Sequence, residues 1–179
     1  MPVRAIRTTT ISILALGLLA GSAVGVAAQD EPRMDGAEVT GDAVFLAQIT
    51  EGTIEEAPPL YAGDNVAARQ RWSASDPRLD GVVTFTINWR ADTDSGININ
   101  AATYELTNDA GSWVGDARGY IGGAVGEVVS VALSGRDGYA GLSAIVVMES
   151  ATTEANAWDL SGVIFPGELP EVPAPYAAE

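Results

Sequence analysis

The segment Val82-Val83-Thr84-Phe85-Thr86-Ile87-Asn88-Trp89 decides the fold class of this chain, because apolar and polar side chains alternate along it. Every odd-numbered position in it is apolar, and positions 84, 86 and 88 are polar. A period of two places alternate side chains on opposite faces of a β-strand, so one face of this segment is suited to a core and the other to water.

Segments of similar character lie on both sides of it, separated by turn-forming Gly, Asn, Asp and Pro residues. We predict further strands over 43–49, 97–107, 112–121, 127–134, 139–149 and 158–165. Residues 51–81 are predicted to be irregular, with a short strand or helical turn over 65–72. About seven to nine strands at this spacing indicate an all-β fold. We predict a single antiparallel β-barrel of about eight strands after an N-terminal signal helix, with a β-sandwich as the alternative.

The region 97–116 contains two features that bear on strand pairing, a predicted bulge and a hairpin turn. Ile97 and Ile99 fall out of phase with Tyr104 and Leu106, which predicts a β-bulge near Ala101-Ala102. Asn108-Asp109-Ala110-Gly111 has the form of a type I turn with its glycine in the left-handed conformation. Matching apolar faces would pair Leu106 with Trp113, and a glycine bulge would pair Leu106 with Val114, so both registers stay open.

The first 28 residues have the layout of a secretory signal peptide. Arg4 and Arg7 precede an apolar run, and Val26-Ala27-Ala28 places small side chains before a cleavage site between Ala28 and Gln29. We therefore divide the chain into a signal peptide (1–28), a flexible leader (29–36), a barrel domain (37–166) and a Pro-rich disordered tail (167–179). This predicts a secreted protein, extracellular or in the cell envelope, with no stable membrane anchor after cleavage.

Composition excludes several chemistries. The chain contains no cysteine, histidine or lysine. Thiol catalysis, a Ser-His-Asp triad and a Schiff-base lysine are therefore impossible, which favours a protein that is not an enzyme. Loss of Arg4 and Arg7 with the signal peptide leaves seven arginines against 24 acids, a net charge of −17. Such a charge argues against a nucleic-acid partner, which requires basic patches.

Few residues qualify as site candidates, and no cofactor is predicted. Asp92 and Asp94, in the acidic turn Asp92-x-Asp94-x-Gly96, are the candidates for a cation, although the further ligands of a complete calcium loop do not follow. Arg90 and Arg118 lie in or beside strands, and either could hold a carboxylate inside a barrel. Tyr104 and Trp113 are aromatic candidates for binding a ligand or a protein partner.

A series of motifs resembles a group of uncharacterised secreted bacterial all-β proteins. The motifs are Ser75-Asp76-Pro77-Arg78-Leu79 with Gly81, Thr107-Asn108, Gly111-Ser112-Trp113-Val114-Gly115, Leu133-Ser134-Gly135, Gly138-Tyr139-Ala140-Gly141-Leu142-Ser143 and Gly162-Val163-Ile164-Phe165-Pro166-Gly167. The aromatic-flanked glycine turns more distantly resemble allene oxide cyclase-like and dirigent-like barrels. These resemblances imply export and an eight-stranded barrel with a central cavity. No catalytic residue is carried over from either group.

The sequence thus predicts a secreted, non-enzymatic β-barrel that binds a small apolar ligand or an extracellular or envelope partner. One alternative is a cavity enzyme of the cyclase or isomerase type, which would act by positioning a reactive substrate. A second alternative is a structural cell-surface protein. The ligand, the oligomeric state and the state of the barrel interior, packed or hollow, are left open.

Overall fold

The computed structural model describes residues 36–122, 126–151 and 155–170. The predicted signal peptide, most of the predicted leader and most of the predicted tail lie outside these residues. The described part is all-β, as predicted, and contains no helix. Its strands are β1 (Ala37–Thr50), β2 (Thr53–Ala57), β3 (Leu60–Ala74), β4 (Gly81–Asp92), β5 (Ile97–Asn108), β6 (Gly111–Gly122), β7 (Gly126–Asp137), β8 (Leu142–Ser150) and β9 (Ala157–Pro166).

Eight of these strands close into an antiparallel barrel, which confirms the predicted barrel over the sandwich. Each strand from β3 to β9 pairs with the next, and β1 pairs with both β9 and β3 to complete the ring. The ninth strand, β2, pairs only with β3 and lies outside the ring. Closure pairs both edges of the ring strands over most of their length, and the exception is the end of β1, whose pairing with β9 stops at Val44.

Alternate side chains of the ring strands fill the interior. The largest of them, including Trp72, Leu106, Trp113 and Leu133, are fully buried. The aromatic rings of Trp72, Tyr104 and Phe85 follow one another across this core, with ring centroids 6.2 Å and 5.3 Å apart. Packing of this kind stabilises a chain that has no cysteine and therefore no disulfide bond.

The prediction of irregular structure over 51–81 is wrong for most of that stretch, because it contains β2 and nearly all of β3. The strand pattern of β3 is masked by small residues. Gly63, for example, faces the Trp89 indole, which a Cβ at that position would overlap. A bulge between Gly63 and Val66 further breaks the period of two. The interior room at Gly63 is filled by the Trp89 side chain of β4.

The predicted bulge in the strand 97–107 is also wrong. β5 pairs without interruption with both β4 and β6, so the strand keeps one phase throughout. Tyr104 and Leu106 face the interior, and Ile97 and Ile99 lie exposed on the outside. The bulges of the barrel are in β1 and β3 instead.

The register of the β5–β6 hairpin follows the apolar faces. Leu106 pairs with Trp113 and Asn108 pairs with Gly111, which leaves a two-residue connection. Gly111 does not have a positive φ, so the prediction of a left-handed conformation at this glycine is wrong. Instead, the Asn108 side chain accepts a hydrogen bond from the Ala110 backbone at 3.1 Å. β7 is also longer than the predicted strand 127–134, because it continues through Gly135 to Asp137.

Candidate functional site

The two ends of the barrel differ, and their difference locates the candidate site. The loop between β3 and β4, residues 75–80, lies at the end that we call the plugged end. Leu79 of this loop is almost completely buried. The Trp113 indole N–H donates to the Arg78 carbonyl oxygen at 2.8 Å, which ties the loop to β6.

Asn108 is the polar centre of the plugged end. Its Nδ2 lies within hydrogen-bond distance of the carbonyl oxygens of Pro77 (3.2 Å), Arg78 (3.3 Å) and Asp80 (3.0 Å). Its Oδ1 accepts from the Tyr139 hydroxyl at 2.7 Å. The Tyr139 ring is stacked on Trp113 with centroids 5.2 Å apart, so polar and aromatic contacts hold the same loop.

Many of the motif residues that carry the family resemblance therefore meet at this end. Asp76 and Arg78 form a part-buried ion pair with N···O distances of 2.9 Å and 2.6 Å. Hydrogen bonds from the Arg78 side chain hold the pKa of the Asp76 carboxyl below its ordinary value. These groups bond one another and fill the barrel end, so we assign them a structural role in closing the barrel.

The opposite end, which we call the distal end, carries exposed apolar side chains. Of the large apolar residues that are exposed in the described chain, all except Ile145 lie there: Phe45, Leu46, Ile49, Ile54, Leu60, Ile97, Ile99 and Tyr120. Isolated exposed apolar residues are ordinary, but a cluster of them indicates an interaction site.

Part of this cluster lines a groove of about 660 Å³ on the outer surface, formed by β2, β3, β4 and β5. Leu60 (59% exposed) and Ile99 (56% exposed) contribute apolar surface, together with Ala62 and Ile97. Register explains their proximity, because Ala62 pairs with Arg90, which pairs with Ile99 on the next strand. We call this the outer groove.

Two of the three charged residues that line the outer groove, Arg90 and Asp92, are held by other groups of the protein. The Arg90 guanidinium forms a two-pronged ion pair with Asp64, at 2.8 Å and 3.1 Å. This partner raises the pKa of Arg90. The Asp92 carboxylate accepts the Asp94 backbone N–H at 2.9 Å, and this bond lowers the pKa of Asp92. Glu55 lines the groove as well.

The barrel interior at the distal end contains a carboxyl group. Glu127 is half-buried and accepts a hydrogen bond from the Trp158 indole N–H at 2.8 Å. Burial raises the pKa of Glu127, and the bond from Trp158 opposes that effect only in part. Nearby, burial and the Glu127 charge raise the pKa of Tyr104.

The residues proposed from sequence fall into two sets. Tyr104 and Trp113 are buried inside the barrel, whereas Arg90 and Arg118 lie on the outer surface. Arg90 and Arg118 line a second outer depression beside Ile99, but only Arg90 also lines the outer groove. Asp92 forms a turn, and the described residues contain no group of three acids arranged to hold a metal ion.

Leu60, Ile97 and Ile99 were not anticipated as surface residues. The assumed bulge placed both isoleucines in the core, and Leu60 lies in a stretch that was predicted to be irregular. A strict period of two along 97–107 places Ile97 and Ile99 on the face of the strand away from Tyr104. This period is the feature of the sequence that indicates their exposure.

Comparison of the chain with protein-family models, curated proteins and solved structures finds no match. No residue role is therefore transferred from a relative, and the suggested family resemblance stays a prediction. Among residues 36–122, 126–151 and 155–170 there is no helix with the length and apolar character needed to cross a membrane.

Proposed function

We propose that this protein is a secreted, non-enzymatic binding protein, and that the outer groove at its distal end receives an apolar ligand or the apolar part of a partner. The observation that carries the proposal is the concentration of exposed apolar side chains at one end of the barrel. The plugged end, by contrast, uses its apolar and aromatic groups internally.

The size and composition of the outer groove support this function. Its volume of about 660 Å³ lies within the range of about 300–1,000 Å³ that small-molecule sites occupy. Leu60, Ile97 and Ile99 would each lose exposed apolar surface on binding, and full burial of such a side chain is favourable by about 1.5–3 kcal/mol. Several such contacts are enough to give measurable affinity after the entropic cost of association.

Two of the three charged groups that line the groove favour binding over catalysis. A general acid or base must be free to exchange a proton with substrate. Here Arg90 is held by Asp64, and Asp92 accepts backbone hydrogen bonds in its own turn. Arg90 and Asp92 are therefore suited to shaping the surface of the groove and not to transferring a proton.

Binding of an uncharged naphthylamine fluorophore tests the proposal. We expect fluorescence enhancement with the wild-type mature protein, and at least about a tenfold loss of affinity in the double variant Ile97→Thr/Ile99→Thr, because two apolar contacts are removed. Ile145→Thr is the matched control, since Ile145 is also exposed but lies away from the distal end. Equal affinity of the double variant and the control would refute the groove as the site.

Export is the second part of the proposal and is supported by the N-terminal pattern of residues 1–28. Expression of the full chain in a bacterium, followed by mass spectrometry of the culture medium and envelope fractions, measures both location and processing. We expect a mature N-terminus at Gln29. Retention of uncleaved chain in the cytoplasm would contradict this part while leaving the binding measurement intact.

A further inference from the structure

We infer that the free edge of β2 binds an extended peptide segment of a partner whose side chains alternate between apolar and basic residues. The segment would add a strand to the sheet, with its apolar side chains on the face of the outer groove and its positive charges on the opposite face, where Glu56 of β2 lies. This deepens the proposed function, on which it rests, by naming the class of partner.

The backbone of β2 provides the first argument. β2 pairs with β3 along one edge, and within the described residues no strand occupies its other edge. In an antiparallel pair, alternate residues direct their N–H and C=O groups away from the partner strand. β2 therefore presents outward-facing backbone groups, and all five of its residues are exposed. An unpaired edge of this kind is a template for strand addition.

The position of β2 beside the groove provides the second argument. Glu55 and Ala57 line the outer groove, so the edge of β2 is also a wall of the groove. An added strand would continue the sheet past β2. Every second side chain of the strand would then project toward the groove face, where Leu60 offers apolar surface.

Charge identifies the partner. Glu51, Glu55 and Glu56 lie in or next to β2, and residues 34–68 contain no arginine or lysine. Arg90, the cation of the neighbouring groove, is already held by Asp64. A basic segment is therefore attracted to this edge. A second copy of the chain, with a formal net charge of −15, is repelled, because pairing of the two β2 edges would bring the same acids together.

The edge also lacks some of the features that prevent strand addition in other proteins. Natural edge strands are commonly protected by Pro, by Lys or by a bulge. β2 contains neither proline nor lysine, and its pairing with β3 shows no register shift. Its protection consists of two glutamates, which disfavour pairing with an acidic strand or with a second copy of β2 but not with a basic strand.

Fluorescence anisotropy with three labelled ten-residue peptides tests the inference. The first alternates valine and lysine, the second alternates valine and glutamate, and the third is the lysine peptide with alternate backbone nitrogens methylated. We expect binding of the first peptide alone. The Glu55→Gln/Glu56→Gln variant should bind it about three- to tenfold more weakly, because the direct charge pair at Glu56 and the longer-range attraction of Glu55 are both lost. Glu105→Gln/Glu149→Gln removes two exposed acids elsewhere and should bind as the wild type does.

Each other outcome overturns the inference. Equal binding of the methylated peptide would show attraction by charge without strand addition. Binding of neither lysine nor glutamate peptide, or equal loss in both glutamine variants, would remove β2 as the docking edge. Dimers in light scattering that Glu55→Gln/Glu56→Gln strengthens would indicate that a second copy takes the edge. The fluorophore measurement on Ile97→Thr/Ile99→Thr is independent, so the groove can hold a ligand even where this inference fails.

Discussion

The plugged end and the distal end are built from the same eight ring strands, to which the distal end adds β2, yet they use similar residue types in opposite ways. At the plugged end, Trp113 and Tyr139 are buried, and their polar atoms bond to a loop or to Asn108. At the distal end, Leu60 and Ile99 are more than half exposed. The aromatic and glycine-rich motifs of this chain therefore stabilise the fold. We expect a ligand or partner to bind at the distal end, where the sequence has fewer such motifs.

The largest test of this contrast is Trp113→Ala. The Trp113 side chain is fully buried, stacks on Tyr139 and bonds the Arg78 carbonyl. Its truncation removes these contacts and leaves a cavity, so we expect the free energy of unfolding in urea to fall by about 3–5 kcal/mol. The same change should increase proteolysis within residues 75–80, since the loop loses its anchor.

Tyr120→Ala is the matched control, because Tyr120 is an aromatic residue of the same strand that lies exposed at the distal end. We expect it to lower the free energy of unfolding by less than about 1 kcal/mol. Similar losses in both variants would show that the two ends contribute equally to stability.

Asn108→Ala is expected to have the next largest effect. The substitution leaves the backbone carbonyls of Pro77 and Asp80 and the Tyr139 hydroxyl without their side-chain partner. Loss of a part-buried hydrogen-bond centre of this kind costs about 1–3 kcal/mol in unfolding free energy. Asp109→Ala, at the exposed neighbouring position, should change it by less than about 0.5 kcal/mol.

The two ends should also respond to pH with opposite sign. The pKa of Asp76 is lowered in the folded protein, so its carboxylate contributes stability above its ordinary value of 3.8, which is lost as pH falls through the folded pKa. The pKa of Glu127 is raised, so its protonated form is favoured by folding below the ordinary value of 4.5, and this advantage is lost as pH rises through the folded pKa.

Urea titrations of Asp76→Asn and Glu127→Gln at pH 7 and at pH 3.5 measure these contributions. At pH 7, we expect Asp76→Asn to be less stable than the wild type. We expect Glu127→Gln to be more stable, because the amide stays neutral and its oxygen can still accept from Trp158. Both differences should shrink at pH 3.5. Equal signs at pH 7 would contradict the assigned environments.

The all-β fold was predictable from local pattern, because the alternation over 82–89 marks β4 directly. Closure followed from strand number and spacing. The extent of β3 was not predictable, since Gly63 is small to accommodate Trp89, a residue of another strand. Local sequence cannot report a spatial neighbour 26 positions away.

The composition of the outer groove was not predictable from the sequence for a related reason. The predicted bulge would bring Ile97 and Ile99 onto the face of Tyr104 and Leu106, although the uninterrupted phase of β5 places them outside. Arg90 and Asp92 were recognised as candidates individually, but their place beside Leu60 depends on pairing between β3 and β4. The polar centre at Asn108 likewise depends on hydrogen bonds to residues 77–80, about 30 positions earlier in the chain.

The smallest expected effect on stability completes the comparison. Ile97→Thr/Ile99→Thr removes exposed apolar groups from the outer face of β5, where threonine is also a favourable strand residue. We expect the free energy of unfolding to change by less than about 0.5 kcal/mol, although the fluorophore affinity falls at least about tenfold. Circular dichroism during urea unfolding gives the first quantity. A loss of stability as large as that of Asn108→Ala would mean that these isoleucines belong to the structural core, and that the distal end is not reserved for binding.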